Sequence, residues 1–203
     1  MTSNEIIFKL LKAYLKMITF ERRKQDILGK QDKSSIGDLD LHIRKLCGKI
    51  NSNENYYTLS SCSGRVVLVK NMEKKQPGMF VFRSHEKISF DELKKALDSA
   101  SEAKETLIFK QEPAILAVCC NTLEEASVLL DKAREKAGWK NSGIMTLKRR
   151  IIAELRNTEY ISLPIMEKGK ILVDDNFLHI LVAESNTRLE KTWQRIKALE
   201  EEF

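Results

Sequence analysis

The chain has 203 residues, of which 42% are hydrophobic and 32% are charged. This length and composition predict a folded protein with one domain over residues 1–203, and they exclude an intrinsically disordered chain. Lysine and arginine exceed aspartate and glutamate by 35 to 29, and the resulting net charge of +6 favours an anionic partner such as RNA.

The first 28 residues have the apolar spacing of an amphipathic helix, which is predicted to end at Gly29. Lys9, Lys12 and Lys16 interrupt the apolar run, which excludes a signal peptide and a membrane span. We therefore expect a soluble, cytoplasmic protein. The four cysteines have the spacing of neither a disulfide framework nor a zinc site, so we expect no metal.

A second helix is predicted after the polar loop at residues 32–38, because Ile43, Leu46 and Ile50 recur at helical spacing. Three short strands follow. We expect them to form a meander over residues 56–59, 66–69 and 79–83.

Two capping boxes predict later helices. Ser89-Phe90-Asp91-Glu92 and Thr122-Leu123-Glu124-Glu125 each place a hydroxyl and a carboxylate where they can bond the free amides of a first helical turn. Asp174 and Asp175 are predicted to open a C-terminal helix. The remaining strands are predicted at residues 106–109, 115–119, 144–147, 151–155, 160–165 and 170–173.

The connections between successive strands are too short for crossovers, and this indicates the fold class. We expect an α+β protein with a largely antiparallel or mixed sheet packed by helices. The repeated order of strands and helices suggests an internal duplication. There is no GxGxxG, Walker or HExxH motif, so a Rossmann-type cofactor site is not supported.

The segment Ser60-Ser61-Cys62-Ser63-Gly64-Arg65 separates the first two strands, and we predict that it is the tip of a hairpin. Small residues let a ligand approach the backbone, glycine permits a positive φ, and an arginine can bind a carboxylate or phosphate through two parallel hydrogen bonds. The segment is therefore a candidate ligand-binding turn. The alternative is a solvated, serine-rich turn.

Cys62 is also a candidate nucleophile, for which His85, near the end of a neighbouring strand, is the best-placed base. The alternatives are a small buried thiol and a strand-end histidine without a role. Two other polar breaks at strand ends, Glu112-Pro113 and Asn141-Ser142-Gly143, are positions where functional groups often lie.

Cations surround Trp139, and this pattern suits RNA, because phosphates attract cations and an unstacked base needs a flat ring. A solvated basic helix face with a core tryptophan explains the same pattern. The cations concerned are Lys132, Arg134, Lys136, Lys140, Lys148, Arg149 and Arg150.

Taken together, these segments closely resemble the tRNA wybutosine-synthesising protein 3 family. The resemblance runs in order from about residue 20 to the C-terminus, whereas residues 1–18 look like a helical extension and Met17 is an alternative start. Leu59 departs from the pattern by replacing a small hydroxyl residue. The matching residues are Asp32-Lys33-Ser34, Gly37, Asp40, Asn51, the segment from Ser60 to Arg65, Ser84-His85, Glu112-Pro113, Gly138, Asn141-Ser142-Gly143-Ile144 and Pro164.

The resemblance implies an S-adenosylmethionine-dependent methyltransferase with a fold unlike that of Rossmann methyltransferases. Its implied substrate is the tricyclic 7-aminocarboxypropyl-demethylwyosine at position 37 of tRNA-Phe, beside the anticodon, and the methyl group goes to N4. Two other functions remain open: a non-catalytic tRNA-binding module, and an acyl-transfer enzyme that uses Cys62 and His85.

The resemblance also implies roles for residues of this chain. His85 is expected to accept the N4 proton or to orient the ring, and Arg65 to meet a carboxylate of the cofactor or of the substrate's aminocarboxypropyl arm. The expected cofactor-binding set is Ser60, Ser61, Cys62, Ser63, Gly64, Arg65, Glu112, Asn141, Ser142 and Gly143. The expected RNA-binding set is Lys33, Lys148, Arg149, Arg150 and Trp139, with Tyr56 or Tyr57 as further stacking partners.

Overall fold

The computed structural model describes residues 3–29, 40–72, 76–147 and 150–203. The helices are α1 (Ser3–Leu28), α2 (Leu41–Ser52), α3 (Phe90–Ser99), α4 (Leu123–Asp131), which continues into a π-helical turn at Lys132–Lys136, and α5 (Asp175–Glu201). The strands are β1 (Tyr56–Cys62), β2 (Arg65–Lys70), β3 (Phe80–Ser84), β4 (Leu107–Glu112), β5 (Ile115–Cys120), β6 (Gly143–Leu147), β7 (Arg150–Arg156), β8 (Ile161–Glu167) and β9 (Lys170–Ile171).

The strands form two antiparallel sheets. The first sheet has the order β1-β5-β7-β6, and the second has the order β3-β2-β4-β8-β9. The predicted α+β class and its antiparallel pairing are confirmed. The suggested duplication, the single-domain organisation and the N-terminal extension stay predictions.

Each sheet buries one face against helices. The core of the first sheet contains side chains of α2, α4 and the C-terminal half of α5, together with the fully buried Trp139. The core of the second sheet contains side chains of α3 and the N-terminal half of α5. Helix α5 therefore spans both cores, and Trp193 packs against both.

Helix α1 lies on the opposite face of the first sheet. Phe20 packs against Tyr57, with ring centroids 5.1 Å apart, and Cys119 completes this small cluster. Among the residues that the structure describes, other side chains of this face are exposed, including Ser60, Met145 and Glu154. We call this face the open face of the first sheet.

The predicted helix starts are largely confirmed. Ser89 and Glu92 form a reciprocal capping box at α3, and Asp174 accepts a hydrogen bond from the Phe177 amide at α5. Thr122 caps α4 as predicted, but the carboxylate of Glu125 binds the Tyr56 hydroxyl at 2.7 Å instead. The predicted loop at residues 32–38 lies outside the described residues.

The predicted hairpin between the first two strands is wrong. Strand β1 pairs with β5 in the first sheet, whereas β2 pairs with β3 and β4 in the second. The chain therefore leaves one sheet and enters the other between Cys62 and Arg65. No helix in the described part of the chain is both long and apolar enough to cross a membrane.

Candidate active site at the junction of the two sheets

The chain passes between the sheets at three places, and these three crossings lie side by side. They connect β1 to β2, β4 to β5 and β7 to β8. A Cβ built on Gly64 would lie 3.1 Å from the carbonyl oxygen of Glu112, and the Asn157 amide donates to the carbonyl of Ala114 at 3.4 Å. Gly64 has φ +90°, which favours glycine at this close approach. The polar strand ends of both sheets therefore meet at one junction.

Asp40, His85 and Cys62 form a cluster at this junction. Asp40 Oδ2 accepts hydrogen bonds from the Ser63 amide at 2.9 Å and from the Ser63 hydroxyl at 3.2 Å. The same oxygen lies 3.0 Å from His85 Nδ1, and Cys62 Sγ lies 3.9 Å from that nitrogen. Side chains from the residue before α2, from the end of β1 and from the segment after β3 thus converge on one point.

The cluster holds a proton on His85. The hydrogen bond to Asp40, followed by the contact with Cys62, raises the pKa of His85 to about 9, although burial opposes this rise. Burial tends to raise the pKa of Asp40, but its hydrogen bonds with His85 and Ser63 outweigh that effect and lower it. Asp40 and His85 are therefore an ion pair at neutral pH, with Asp40 8% exposed and His85 18% exposed.

The N-terminal turn of α2 is held by contacts that fix Asp40 in place. The ring of His42 stacks on Trp193 of α5, with centroids 3.8 Å apart and an interplanar angle of 8°. Its Nε2 lies 3.1 Å from a carboxylate oxygen of Glu86, in the segment that also carries His85. Asp40 is the first residue before the helix, so these contacts position its carboxylate.

Arg65 and Glu112 form a second ion pair at the junction. Arg65 Nε lies 2.6 Å from Glu112 Oε2, and the two side chains are 26% and 28% exposed. The guanidinium carbon also lies 5.3 Å from the ring centroid of Phe80. Because the Glu112 carboxylate accepts a hydrogen bond only from Nε, the two terminal amino groups of Arg65 can bind a further anion.

The cluster of Asp40, Cys62 and His85 is also the place where a metal ion can be held. Each offers one ligand atom, and the three atoms lie within 4.8 Å of one another. Oxygen, sulfur and nitrogen ligands of this kind suit zinc. The same three groups satisfy one another by hydrogen bonds, so the geometry does not require an ion.

One row of register partners crosses the open face of the first sheet from β1 to β6: Ser60, Ala117, Glu154 and Gly143. Ser60 and Gly143 are therefore at the same level of the sheet, three strand spacings or about 14 Å apart. The two predicted ligand segments share one end of one face but lie at its opposite edges.

Comparison with known proteins identifies the family. The sequence model of the family described as "Methyltransferase TYW3" matches residues 22–203. This chain belongs to that family. The match includes every residue of the junction named above.

Similar proteins and solved structures agree with this membership. A "tRNA wybutosine-synthesizing protein 3 homolog" from Xenopus laevis is 34% identical over 187 residues, covering 89% of this chain and 73% of that protein. A "tRNA(Phe) 7-((3-amino-3-carboxypropyl)-4-demethylwyosine(37)-N(4))-methyltransferase" from Archaeoglobus fulgidus is 32% identical over 182 residues, covering 88% and 90%. The PH1069 protein from Pyrococcus horikoshii has a TM-score of 0.80 at 30% identity, covering 92% of this chain and 96% of that chain.

Several predicted cofactor-binding residues of this TYW3 family member have structural contacts of their own. The Ser63 side chain binds Asp40, and the Ser142 hydroxyl donates to the carbonyl of Trp139 at 2.5 Å and accepts from the Arg156 amide at 3.0 Å. The Asn141 amide donates to the carbonyl of Arg156 at 3.1 Å. These groups shape the turns, whereas Ser60 is exposed.

The stacking role predicted for Trp139 is wrong. Its side chain is 0% exposed, and its indole N–H donates to the carbonyl of Arg195 at 3.0 Å. Tyr56 and Tyr57 are 4% and 0% exposed, so neither ring offers a face to a base. The alternative, a core tryptophan behind a basic surface, is the one that the structure supports.

The other predicted RNA-binding residues are four cations. Lys33, Lys148 and Arg149 lie outside the described residues. Arg150 is half-buried on the open face. Burial raises the pKa of Tyr57, and the nearby guanidinium groups of Arg150 and Arg23 oppose that rise.

The sequence assigned no role to Asp40, yet it contacts both His85 and Ser63. The sequence placed Asp40 only among the residues that match the family, just after the loop at residues 32–38. In the structure its side chain makes no capping bond. A helix-starting aspartate that does not cap its helix is a signal only the structure provides.

Proposed function

We propose that this chain is an S-adenosylmethionine-dependent methyltransferase that methylates N4 of 7-aminocarboxypropyl-demethylwyosine at position 37 of tRNA-Phe. The observation that carries the proposal is the match to a methyltransferase family over residues 22–203, with relatives named for this reaction. A cytoplasmic location is part of the proposal, because tRNA is the substrate.

Methyl transfer from a sulfonium needs alignment rather than a covalent intermediate. S-adenosylmethionine would supply the methyl group from its sulfonium, and N4 would lose its proton to solvent as it gained the methyl group. Most of the rate enhancement then comes from holding the two reactants in line. The junction suits this task, because rigid strand ends of two sheets meet there.

The cofactor site is proposed along the open face of the first sheet. Ser60 and Gly143 lie in one row at opposite edges, so only an elongated ligand that lies across the strands contacts both. Cys62 and Glu112 border this row at the junction, and Gly64 lets the crossing segments pack closely. The Ser61 side chain faces the other side of the sheet, where it hydrogen-bonds the buried Cys47 thiol. Ser63, Asn141 and Ser142 support the site through the contacts described above.

Arg65 is proposed to bind a carboxylate, either of the cofactor's methionine part or of the substrate's aminocarboxypropyl arm. Glu112 orients the guanidinium from one side through Nε. The terminal amino groups then face the ligand in a fixed direction, which favours a bidentate pair.

His85 is proposed to orient the modified purine by donating a hydrogen bond. Its Nδ1 is occupied by Asp40 and Cys62, which leaves Nε2 for the ligand. Because the pKa of His85 is raised to about 9, the ring is an imidazolium at neutral pH and is a poor acceptor for the N4 proton. An orienting role is therefore favoured over a general-base role.

The same geometry disfavours the acyl-transfer alternative. A catalytic histidine uses one ring nitrogen for the nucleophile and the other for the carboxylate. Here Cys62 and Asp40 both contact Nδ1, which cannot accept a proton from the thiol while it donates to Asp40. Near-normal methylation by Cys62→Ser would exclude a nucleophilic cysteine.

The proposal is tested by incubating the protein with labelled S-adenosylmethionine and hypomodified tRNA-Phe, with calorimetric titration of the cofactor alongside. Transfer of label to the tRNA is expected. Binding of tRNA without binding of the cofactor would instead support the non-catalytic RNA-binding module.

His85→Ala tests the orienting role within the same assay. Turnover should fall while cofactor affinity stays near normal, and a loss of cofactor affinity would contradict the role. His179→Ala is the matched control, because that ring stacks on Phe90 at 3.9 Å on the outer side of α3 and α5.

A further inference from the structure

The connection from β7 to β8, which crosses from the first sheet to the second, carries an exposed aromatic ring beside an arginine. Tyr160 lies just before β8 and is 44% exposed. The guanidinium carbon of Arg156, the last residue of β7, lies 5.9 Å from the centroid of the Tyr160 ring. The pair stands where the chain passes from the first sheet to the second.

Arg156 is incompletely satisfied. Its Nε is buried without a hydrogen-bond partner, and within the described residues no carboxylate pairs with its guanidinium. Glu154, on the same face of β7, is two residues or about 7 Å along the strand and does not pair with it either. Because no carboxylate holds the guanidinium, its terminal amino groups can bind a phosphate beside the Tyr160 ring.

The pair lies close to the proposed site. Arg156 is in register with Ile115, which is in register with Cys62, so two strand spacings or about 10 Å separate Arg156 from Cys62. In the second sheet, Gln111 is in register with Ile161, which puts Tyr160 next to Glu112 and its partner Arg65.

Other exposed aromatic rings of the described chain are less suited to stacking at the junction. Phe80 is already flanked by two guanidinium groups, those of Arg65 at 5.3 Å and Arg83 at 5.6 Å. Phe177 lies in the first turn of α5, and Phe8 lies in α1. Tyr160 therefore presents an exposed ring beside Glu112 that is flanked by one guanidinium group, whereas Phe80 is flanked by two.

We infer that Tyr160 and Arg156 form a binding site for a purine nucleobase of RNA, in which the base stacks on the Tyr160 ring and the Arg156 guanidinium binds the adjoining phosphate. This inference rests on the proposed function, in which the base is the modified guanosine. A flat ring with a neighbouring cation is the combination that holds an unstacked nucleotide. In this inference Tyr160 takes the stacking role that the sequence had predicted for Trp139, Tyr56 or Tyr57, whose rings are buried.

The test uses an anticodon stem-loop of tRNA-Phe with 2-aminopurine at position 37, because stacking on an aromatic ring quenches the fluorescence of that base. Wild type and Tyr160→Phe should both quench it. Tyr160→Ala should not, and should bind roughly 5-fold to 100-fold more weakly, as expected for the loss of one stacked base. Quenching that persists in Tyr160→Ala overturns the inference.

Two controls separate stacking from a general loss of structure. Phe177→Ala removes an exposed ring of similar accessibility, 40%, outside the junction, and should bind and quench as wild type does. Tyr160→Leu keeps apolar bulk without an aromatic face and should behave like Tyr160→Ala. If Tyr160→Leu quenches as wild type does, the ring is not the stacking surface.

The phosphate contact has its own readout. Arg156→Gln should weaken binding and reduce the slope of log affinity against log salt concentration by about 1, because one ionic contact is lost. An unchanged slope overturns the role of Arg156.

Methylation kinetics distinguish a failure of this inference from a failure of the proposed function. Tyr160→Ala should raise the KM for hypomodified tRNA-Phe and leave the KM for S-adenosylmethionine unchanged. If wild type methylates the tRNA and Tyr160→Ala has the same KM for it, the nucleobase site alone is wrong. If wild type transfers no methyl group but quenches 2-aminopurine through Tyr160, the proposed function is wrong and the nucleobase site stands.

Discussion

Asn51 and Thr58 exchange two hydrogen bonds that tie the end of α2 to β1. Asn51 Nδ2 donates to Thr58 Oγ1 at 3.0 Å, and the Thr58 amide donates to Asn51 Oδ1 at 2.8 Å. The register of β1 with β5 shifts immediately after Thr58, so Leu59 is an extra residue in β1. Helix α2 carries Asp40 at its other end, and this tie therefore anchors the helix that positions the Asp40–His85 pair.

Replacing Asn51 by alanine should lower the free energy of unfolding by about 2 kcal/mol, because two partly buried hydrogen bonds are lost and the Thr58 amide is left without its acceptor. Asn53→Ala is the matched control. Asn53 Oδ1 accepts one exposed bond from the Asn55 amide, so its loss should cost much less. Urea unfolding of both variants measures the difference, and equal losses would contradict the anchoring role.

The Asp40–His85 pair makes stability depend on pH. The pKa of His85 is raised to about 9, so its contribution to stability is complete below about pH 6.5 and is lost as the pH rises through 9. The pKa of Asp40 is lowered from its usual value of 3.8, so its contribution is present above that pH and lost as the pH falls. Asp40→Asn should therefore destabilise the protein most between about pH 4 and 6.5, by about 2 kcal/mol.

Histidine ring NMR measures the titration directly. In wild type the His85 resonance should titrate near pH 9, and in Asp40→Asn it should move towards 6.5, because the charged partner is gone. His85→Gln identifies the resonance by its disappearance. A His85 that titrates at the same pH in both proteins would contradict the ion pair.

The sequence predicted the helix starts well because each depends on a few neighbouring residues. Ser89 with Glu92, and Asp174 alone, carry the hydrogen bonds that start α3 and α5. Pairing between strands depends instead on distant partners. A short break such as Cys62–Arg65 is compatible both with a hairpin and with a passage between sheets, and only the packing of β5 against β1 and of β4 against β2 decides between them.

The site, too, was only partly predictable from the sequence. The residues that attracted attention in the sequence, Cys62, Arg65 and His85, do meet at the junction. The burial of Trp139 could not be predicted from residue type, because a tryptophan among cations is compatible both with an RNA-binding surface and with a core position behind a basic surface. Trp139 lies in the core, whereas Tyr160 had no distinguishing pattern around it and became visible only through its exposure beside Arg156.

Gly64 should not tolerate a side chain. Its φ is +90°, and an added Cβ would lie 3.1 Å from the Glu112 carbonyl oxygen and 3.2 Å from Thr192 Cγ2. Gly64→Ala should therefore lower stability by about 2–4 kcal/mol, from backbone strain and overpacking together. Gly48→Ala is the control, because nothing lies within 4 Å of its added Cβ and alanine favours the α2 helix. Thermal unfolding should show a loss for the first variant and none for the second.

Variants of Arg65 and Glu112 should show whether Arg65 binds a ligand as well as pairing with Glu112. A double-mutant cycle with Arg65→Ala and Glu112→Gln should give a coupling free energy of about 1 kcal/mol in stability, because both side chains are partly exposed. Arg65→Lys keeps the charge but loses the fork that allows Nε to bind Glu112 while the amino groups bind a ligand.

Arg65→Lys should accordingly weaken one carboxylate ligand by about 10-fold or more, which is the difference expected for a charge-assisted bidentate pair. Calorimetry with S-adenosylmethionine and KM measurements with hypomodified tRNA-Phe show which ligand is affected. A fall in cofactor affinity alone assigns the methionine carboxylate to Arg65, and a rise in the tRNA KM alone assigns the aminocarboxypropyl arm. If both affinities stay unchanged while the stability coupling is present, Arg65 only joins β2 to β4 and does not bind a carboxylate.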